Sequence, residues 1–530
     1  MANLDVERAR VQDDLRGLIA GDVRCDDLFL QLYASDGSIY EIKPLGVVRP
    51  RSTKDVVTCV QYAADKGIPI HARGAGTGQT GACLGPGLIL DFSRYMRRVI
   101  HDDDRTVRVQ SGLVHERLNT YLADRGRLFG PDPATSASTT IGSVIAVDAS
   151  GSRWLQYGSA RRHVERLEVV LADGTVMEIG REPLEENSGP ESSARKRSLV
   201  RDLARVLEEH AAVIRDGQPE GCVSGCGYRL DAIRDGRLDL AGLVVGSEGT
   251  LALVTEAVLA TEALPRNRGV ALLLFDNMDR AARAVADVVA HRPTACDLMD
   301  RRHLSIARES EVRFDLLLPA GTEAVLLVEQ NGPGSIEVRE KVHQLVEDVR
   351  DRRRLAFAAR QAFDRAERDL FWSLARNNQP GYYRVKGSSR PIPVVEDIAV
   401  PPRILPDFLV QVQNLLKRHE VIASLFCHAG QGRLHIRPFM DLASPDDVTQ
   451  MRQLAEDLYA EVFQVGGTIG GGHGCGLSRT PFLRRQHGEL YDVFCRVKEV
   501  FDPLNVLNPG KIVGGGPESL TANLRPLVAA

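Results

Sequence analysis

His71-Ala-Arg-Gly-Ala-Gly-Thr-Gly-Gln-Thr-Gly-Ala82 is the stretch whose reading decides the fold. Within it, Gly76-Thr77-Gly78-Gln79-Thr80-Gly81 matches the dinucleotide fingerprint GxGxxG letter for letter. That fingerprint works through a helix that begins inside the motif and points its N-terminus at a pyrophosphate. Here Gly85-Pro86-Gly87 follows almost at once, and a β-like Leu88–Phe92 comes next. No room is left for a helix, so the Rossmann reading fails on context. A run of backbone N–H groups in such a loop can instead form a nest for a diphosphate. Arg73 would add charge, and Thr77 and Thr80 hydroxyl donors. A loop that merely reverses the chain fits these residues equally well.

Upstream, Val47-Val48-Arg49-Pro50 reads as a strand feeding a helix with Ser52 as N-cap. Val56, Val57, Val60 and Ala64 give that helix an apolar stripe, and Gly67 stops it. From the loop to about residue 180 the pattern is short strands and turns, with a hairpin Leu167–Leu171, Asp173-Gly174, Thr175–Ile179. Residues 181–197 are polar and read as a surface loop. Leu243–Leu259 is β-like and interrupted by Gly246-Ser247-Glu248-Gly249-Thr250. Near Pro265 the texture changes. Strands such as Val270–Phe275 and Ala324–Glu329 alternate with helices such as 278–290 and 336–349, which suggests a second, α/β domain. Ser444-Pro445 opens a long helix ending at Gly466-Gly467, and a last helix stops at Pro503.

Composition sets the class. The chain has 530 residues, 43% hydrophobic and 26% charged, the balance of a soluble globular protein with two or more domains. A net charge of −4 with no polybasic run argues against nucleic acid. No stretch approaches the roughly 18 apolar residues of a transmembrane segment, and the N-terminus lacks the apolar core of a signal peptide. Nine scattered cysteines without a CxxC pair offer no disulfide framework, zinc ribbon or iron–sulfur site. The expected location is cytoplasmic, with peripheral attachment at the membrane left open.

Two later loops weigh against the bare-turn reading. Residues 131–158 read PDPATSASTTIGSVIAVDASGSRWLQYG, a poor core but a good lining for a flat ligand approached closely by backbone. The third loop is Gly246–Thr250. Together, over about residues 40–260, they resemble the FAD-binding domain of the vanillyl-alcohol oxidase and para-cresol methylhydroxylase superfamily. The match is closest to its D-lactate dehydrogenase and glycolate oxidase flavoprotein branch, whose loops read PRGAGTGxxGGA, PDP…TIGGxxAxxASG…YG and GSEGTLG. The resemblance implies FAD, with its diphosphate at Arg73, Gly74, Ala75, Gly76, Thr77, Gly78 and Thr80. It places Pro131, Ser138, Thr140, Gly142, Ser143, Ala149, Ser150, Gly151 and Tyr157 near the diphosphate and isoalloxazine. Glu248, Gly249 and Leu251 approach the flavin or its ADP half. His71 precedes the first loop, but this branch binds FAD without a covalent link.

Near the C-terminus, His428-Ala-Gly-Gln-Gly-Arg-Leu-His435 places two histidines seven apart, and His473 lies in Gly470-Gly-Gly-His-Gly-Cys-Gly476. Neutral imidazole suits removal of a hydroxyl proton, and two imidazoles could hold a divalent metal. The segment resembles the same branch, whose motifs read GHAGDGNLH and GEHGIG or GEHGDG. The ending Phe501–Lys511 is similar to its terminus. The resemblance implies metal ligation (Zn, Mn or Fe type) by His428 and His435 and proton transfer by His473. Gly472 stands where the family carries the glutamate that completes its metal site, Gln431 replaces an Asp, and Cys475 replaces an Asp or Ile. Loss of a carboxylate weakens metal binding, although a cysteine at 475 could in principle substitute. Arg390–Pro401 resembles a family segment beside the substrate. Lys386 and Arg390 are candidates for the substrate carboxylate, a solvated loop being the plain alternative, and Arg437, on the same strand face as His435, is another candidate.

The expected fold is α+β: a two-subdomain FAD-binding domain of the para-cresol methylhydroxylase type plus a C-terminal α/β substrate or cap domain with an antiparallel sheet. The expected boundaries are 1–42 for an N-terminal helical segment, 43–264, 265–512, and 513–530 for a loose tail. The expected function is FAD-dependent oxidation of a small D-2-hydroxy acid of the D-lactate, glycolate or 2-hydroxyglutarate type. Related chains carry a fused iron–sulfur segment beyond the point where this one ends, so electrons are expected to pass to a separate iron–sulfur protein or a quinone. Two alternatives stand: a flavin-binding electron-transfer subunit with a degraded active site, and a metallohydrolase in which the loops are scaffolding.

Overall fold

The computed structural model describes residues 5–184, 194–217, 221–222, 225–376, 382 and 385–525. The first half holds two sheets. A four-stranded sheet orders Asp22–Arg24, Gly46–Arg49, Leu88–Asp91 and Ile70–Arg73, with the last three parallel. Helix Thr53–Lys66 covers it. Ser52 Oγ accepts its Asp55 N–H, Gly67 ends it at φ 66°, and Val56, Cys59, Val60 and Ala63 are its buried apolar face. They pack on Val48, Ile70, Leu88 and Leu90. The second sheet is five-stranded and antiparallel, in the order Val99–Asp102, Thr106–Gln110, Leu253–Ala260, Val164–Val170, Val176–Ile179. Its last two strands are the expected hairpin.

Three short helices depart from the sequence reading. His115–Ala123 lies where only strands and turns are expected; burying Leu118 and Leu122 on one face outweighs its modest helical pattern. Ile141–Ala146 is capped by Thr140 and lies inside the small-residue second loop. Leu240–Val244, part of the β-like stretch, is a helix whose Asp239 side chain accepts from Gly242 N–H. Its apolar run is buried on all sides, and in such a run periodicity cannot tell strand from helix.

The second half is built on an eight-stranded sheet, antiparallel at every pairing. Strand Asn267–Phe275, next to the edge strand Ala358–Ala362, shows why the sheet is buried on both faces. Ala271, Leu273 and Phe275 join one core, while Val270, Leu272 and Leu274 join another. Alternation of side chains along a strand sends successive residues to opposite faces. Helices Met278–Ala290, Leu405–Arg418 and Pro445–Gln464 enclose the first core.

The halves are locked together. Arg153 on the second loop makes a bidentate pair with Glu329 of the large sheet, at 2.7 and 2.9 Å. The chain then returns: Asn508 donates to the Ala82 and Glu248 carbonyls and so ties the first loop to the third. The tail, expected to be loose, is packed through residue 525. Leu520 is buried, and Arg525 N–H bonds the Ile39 carbonyl. Part of the polar stretch at 181–197 lies outside the described residues; Arg181–Pro183 pairs with Arg237–Asp239 as a strand.

Candidate active site

A cavity of about 230 Å³ runs between the halves, from the glycine loops to the histidine cluster. Of the residues expected to hold the cofactor, Gly74, Gly76, Thr77, Gly78, Ser143, Ala149, Ser150, Gly151, Glu248 and Gly249 line it. Arg73, Thr140 and Gly142 line a smaller adjoining cavity of about 60 Å³, which shares Gly74, Ser143 and Gly249. Ala75, Thr80, Pro131, Ser138, Tyr157 and Leu251 line neither. Leu251 is core, Ser138 is exposed while Thr139 faces inward, and Thr80 donates to the His473 carbonyl. Arg73 is engaged elsewhere than expected: its guanidinium donates to the Ser35 and Tyr33 carbonyls at 2.7 and 3.2 Å. It braces the loop from behind. His71 is also structural. Burial pushes it down to about 3, and its Nδ1 bonds the Asn508 oxygen at 2.7 Å. Because the Asn508 amide nitrogen already donates to two carbonyls, the proton must sit on His71 Nδ1.

At the far end, strands Ala423–His428 and Arg433–Met440 form a hairpin around Gly432, which has φ 72°. A Cβ there would lie 2.0 Å from the Val400 carbonyl oxygen, so the hairpin admits only glycine. Period-two alternation then puts Arg433, His435 and Arg437 on the cavity face and Leu434 and Ile436 in the core. His428, His435 and His473 all line the cavity. Each imidazole is oriented by a buried carboxylate. His428 Nδ1 donates to Asp297 at 2.8 Å, His435 Nδ1 to Glu396 Oε1 at 2.7 Å, and His473 Nδ1 to Glu396 Oε2 at 2.8 Å. A carboxylate partner at Nδ1 leaves the lone pair on Nε2. Burial pushes His435 down to about 4, so its ring is neutral at pH 7. Burial opposes ionisation of Glu396, but the two imidazoles hold its carboxyl well below the usual carboxylate range.

Two more carboxylates shape the His473 loop. Asp397, at φ 70°, accepts the N–H groups of Gly471, Gly472 and His473 on one oxygen at 3.1, 2.9 and 2.6 Å. Burial opposes its charge, yet the Arg433 guanidinium on its other oxygen holds it far below the usual range. Glu248 accepts from Cys475 and Gly476 N–H at 2.5 and 2.8 Å, and burial raises its carboxyl. Sequence reasoning passed over Glu396 and Asp397. Their signal was an acidic pair inside the apolar run Val394-Val-Glu-Asp-Ile-Ala-Val400, where charges need a buried function or a partner.

Of the three expected cations, Arg437 lines the cavity and the other two do not. Lys386 is exposed and Arg390 sits on an edge strand, and neither lines the cavity. Arg376, Arg433 and Arg437 do. Arg376 pairs with Asp132 at 2.6 Å. Arg437 donates to Gln79 Oε1 at 2.8 Å across the cavity and lies over the Tyr382 ring, with Glu396 3.9 Å away.

The residues do not fit a divalent metal. Among the described residues, the group of three with ligand atoms within 4.8 Å of one another is Glu396, His435 and His473, which leaves His428 out. Both Glu396 oxygens are already bonded to imidazole, and Arg437 and Arg479 stand 3.9 and 3.6 Å from them. Gly472 contributes no side chain, and the Cys475 thiol is hydrogen-bonded to Cys226 instead of joining the histidines. Two imidazole lone pairs beside guanidinium charge make a poor cation site.

Residues 44–180 match the family model of the FAD binding domain, and residues 264–512 that of the FAD linked oxidases, C-terminal domain. A D-2-hydroxyglutarate dehydrogenase of Pantoea ananatis (strain AJ13355) is 32% identical over 500 residues, covering 90% of this chain and 49% of that protein. The chain thus spans about half the length of that relative. Glycolate oxidase subunit GlcD of Bacillus subtilis (strain 168) is 28% identical over 479 residues, 89% of this chain and 90% of that subunit. Among solved structures, 4-ethylphenol oxidase from Gulosibacter chungangensis aligns with a TM-score of 0.68 at 16% identity, over 98% of this chain and 99% of that one. That likeness shows a shared two-domain fold, and the two family models mark it as an FAD-binding one. The cofactor fits this chain's own residues, since glycine and other small residues from all three loops bring backbone to the cavity wall.

Proposed function

Since this chain belongs to the FAD-linked oxidases and takes FAD as its cofactor, we propose that it oxidises a small D-2-hydroxy acid to the 2-oxo acid. One observation carries the reading: Glu396 holds His435 and His473 by Nδ1 at the cavity wall, in line with Arg433 and Arg437. Bound along the three loops, FAD supplies the two-electron acceptor. His473 takes the hydroxyl proton at Nε2, which has no protein partner among the described residues. The C–H hydrogen leaves the same carbon with its electron pair, and the carbonyl remains. Glu396 fixes the tautomer and stabilises the imidazolium that forms. Arg437 is the clamp for the substrate carboxylate, because its charge faces the cavity and its shortest polar contact is the neutral Gln79.

The relatives support this substrate class, being named for 2-hydroxyglutarate and glycolate. Electrons then pass on to an acceptor of the iron–sulfur or quinone type. Among the described residues no helix is long and apolar enough to cross a membrane. The metallohydrolase alternative is overturned by the FAD binding domain match and the unsuitable metal group. The electron-transfer subunit remains as a second reading because Gly472 breaks the family motif.

Anaerobic mixing of the yellow protein with D-lactate, glycolate, D-2-hydroxyglutarate and larger D-2-hydroxy acids tests the proposal. Bleaching by at least one of them is expected. Bleaching by dithionite alone would overturn it and leave the electron-transfer subunit.

A further inference from the structure

We propose that Arg433 is the fixed cation of this centre, standing where a metal ion and its ligand at position 472 would otherwise be, so that the site works without metal. The inference rests on the proposed hydroxy-acid chemistry for its substrate, but on the structure for the cation itself. Arg433 is 2% exposed, among the largest fully enclosed side chains of the protein. Its Nε–H pairs with Asp397, and one Nη1–H donates to Ser150 Oγ at 3.0 Å. A guanidinium has five N–H donors. Three are therefore without a protein acceptor among the described residues, on a side chain that lines the cavity. A buried charge with unused donors calls for an anionic partner. A 2-hydroxy acid brings one, as its carboxylate and as the charge that develops on the hydroxyl oxygen while His473 takes the proton.

The glycine run explains how the guanidinium reaches this place. A Cβ at Gly471 would lie 2.9 Å from Arg433 Cγ, Cδ and Nε, and one at Gly472 would lie 3.1 and 3.3 Å from Nη1 and Nη2. Side chains at 471 and 472 would press on the arginine. In the motifs GHAGDGNLH and GEHG these two positions are Asn and Glu; here they are Arg433 and Gly472, and in space they touch. The exchange replaces a ligand carboxylate and its ion by one permanent charge. Asp397 holds that charge in position, bonded also to the N–H groups of Gly471, Gly472 and His473. A side chain that is always protonated at physiological pH, with a bidentate face, suits a carboxylate without metal uptake.

The test uses the flavin-loaded full chain. Protein from cells grown with added zinc, manganese and iron is expected to hold substoichiometric metal by mass spectrometry, and chelator treatment is expected to leave substrate-driven bleaching unchanged. One equivalent of metal whose removal abolishes bleaching would overturn the proposal. Oxalate serves as an anion probe read by perturbation of the flavin spectrum. Arg433→Gln is expected to weaken it at least ~10-fold, and Arg433→Lys, which keeps the charge beside Asp397, by less. Unchanged oxalate affinity in Arg433→Gln with full flavin content would also overturn it. Gly472→Glu places its carboxylate on Arg433 and is expected to gain no zinc, whereas Arg433→Asn combined with Gly472→Glu gains it. Equal zinc uptake by the single and the double variant counts against the idea. If no hydroxy acid bleaches the flavin while oxalate still separates Arg433→Gln from the parent, the function fails and the fixed cation stands.

Discussion

Glu396→Gln is the change whose consequences follow most directly from the geometry. Glu396 is 1% exposed and accepts Nδ1–H from His435 at 2.7 Å and from His473 at 2.8 Å. A glutamine keeps the shape but has one acceptor oxygen and one NH2 donor. One imidazole keeps its bond; the other meets donor against donor and must move its proton to Nε2 or turn away. If His473 flips, the lone pair that takes the substrate proton is lost. A positioned general base is worth about 10²–10⁴ in rate, or roughly 3–5 kcal/mol at ~1.4 kcal/mol per decade. The lost charge also leaves Arg437 and Arg479, at 3.9 and 3.6 Å, without their shared counter-ion. Breaking a buried charge pair costs about 3–5 kcal/mol when nothing replaces the lost partner, and less here because the amide retains one bond. Anaerobic stopped-flow at saturating hydroxy acid reads the flavin reduction rate, and the flavin-to-protein ratio controls for folding. A fall of about 10²–10⁴ in rate with near-normal FAD is expected. A rate close to that of the parent would refute the relay. So would a loss of rate that merely follows a loss of FAD.

Gly74→Ala tests the first loop: its Cβ would lie 2.3 Å from both Ser143 Oγ and Thr140 Oγ1, side chains on the second loop. Displacing the Thr140 cap costs about 1 kcal/mol, and lower FAD occupancy with a lower melting temperature of the holoprotein is expected. Asn508→Ala removes the bonds to the Ala82 and Glu248 carbonyls and to His71. It should cost about 2–4 kcal/mol in a denaturant titration, whereas a change of a few tenths would show the stitch to be idle. Acid sensitivity follows from four buried histidines, His71 near 3 and His303, His435 and His487 near 4, all pushed down by burial. Their folded values lie below the unfolded ~6.5, so the stability they carry is complete above that pH and lost as pH falls toward 4. Asp300, pushed up to about 7 by burial, takes up one proton in the native state and opposes them. Four protons against one leave a slope approaching about 4 kcal/mol per pH unit between roughly pH 6 and 4. A flat denaturation midpoint across that range would show that these histidines are not buried neutral.

How much was legible can be argued from particular residues. Ser52 and Gly67 bracket helix Thr53–Lys66 as read, because a cap acts within one turn of the backbone. The missing helix after the first glycine loop was visible for the same reason: Gly85-Pro86-Gly87 breaks the chain locally, and Leu88–Asp91 is a strand. Helices His115–Ala123 and Leu240–Val244 were not visible, since neighbours distant in sequence decide whether a short apolar run is helix or strand. Arg73 shows the same limit at the site. Its residue type suited a diphosphate, but the Ser35 and Tyr33 carbonyls lie where its side chain reaches.

The sequence by itself determined the cofactor class, the three loops and the histidines facing the cavity, because glycine conformations, small-residue runs and strand alternation are short-range properties of the chain. Only the tertiary structure decided what those histidines do. Glu396 meets His435 and His473 across 39 and 77 residues, and Arg433 fills the space opened by Gly472. Charges buried together select their partners by distance through space, at a strength set by the low dielectric around them. No spacing along the chain encodes that distance.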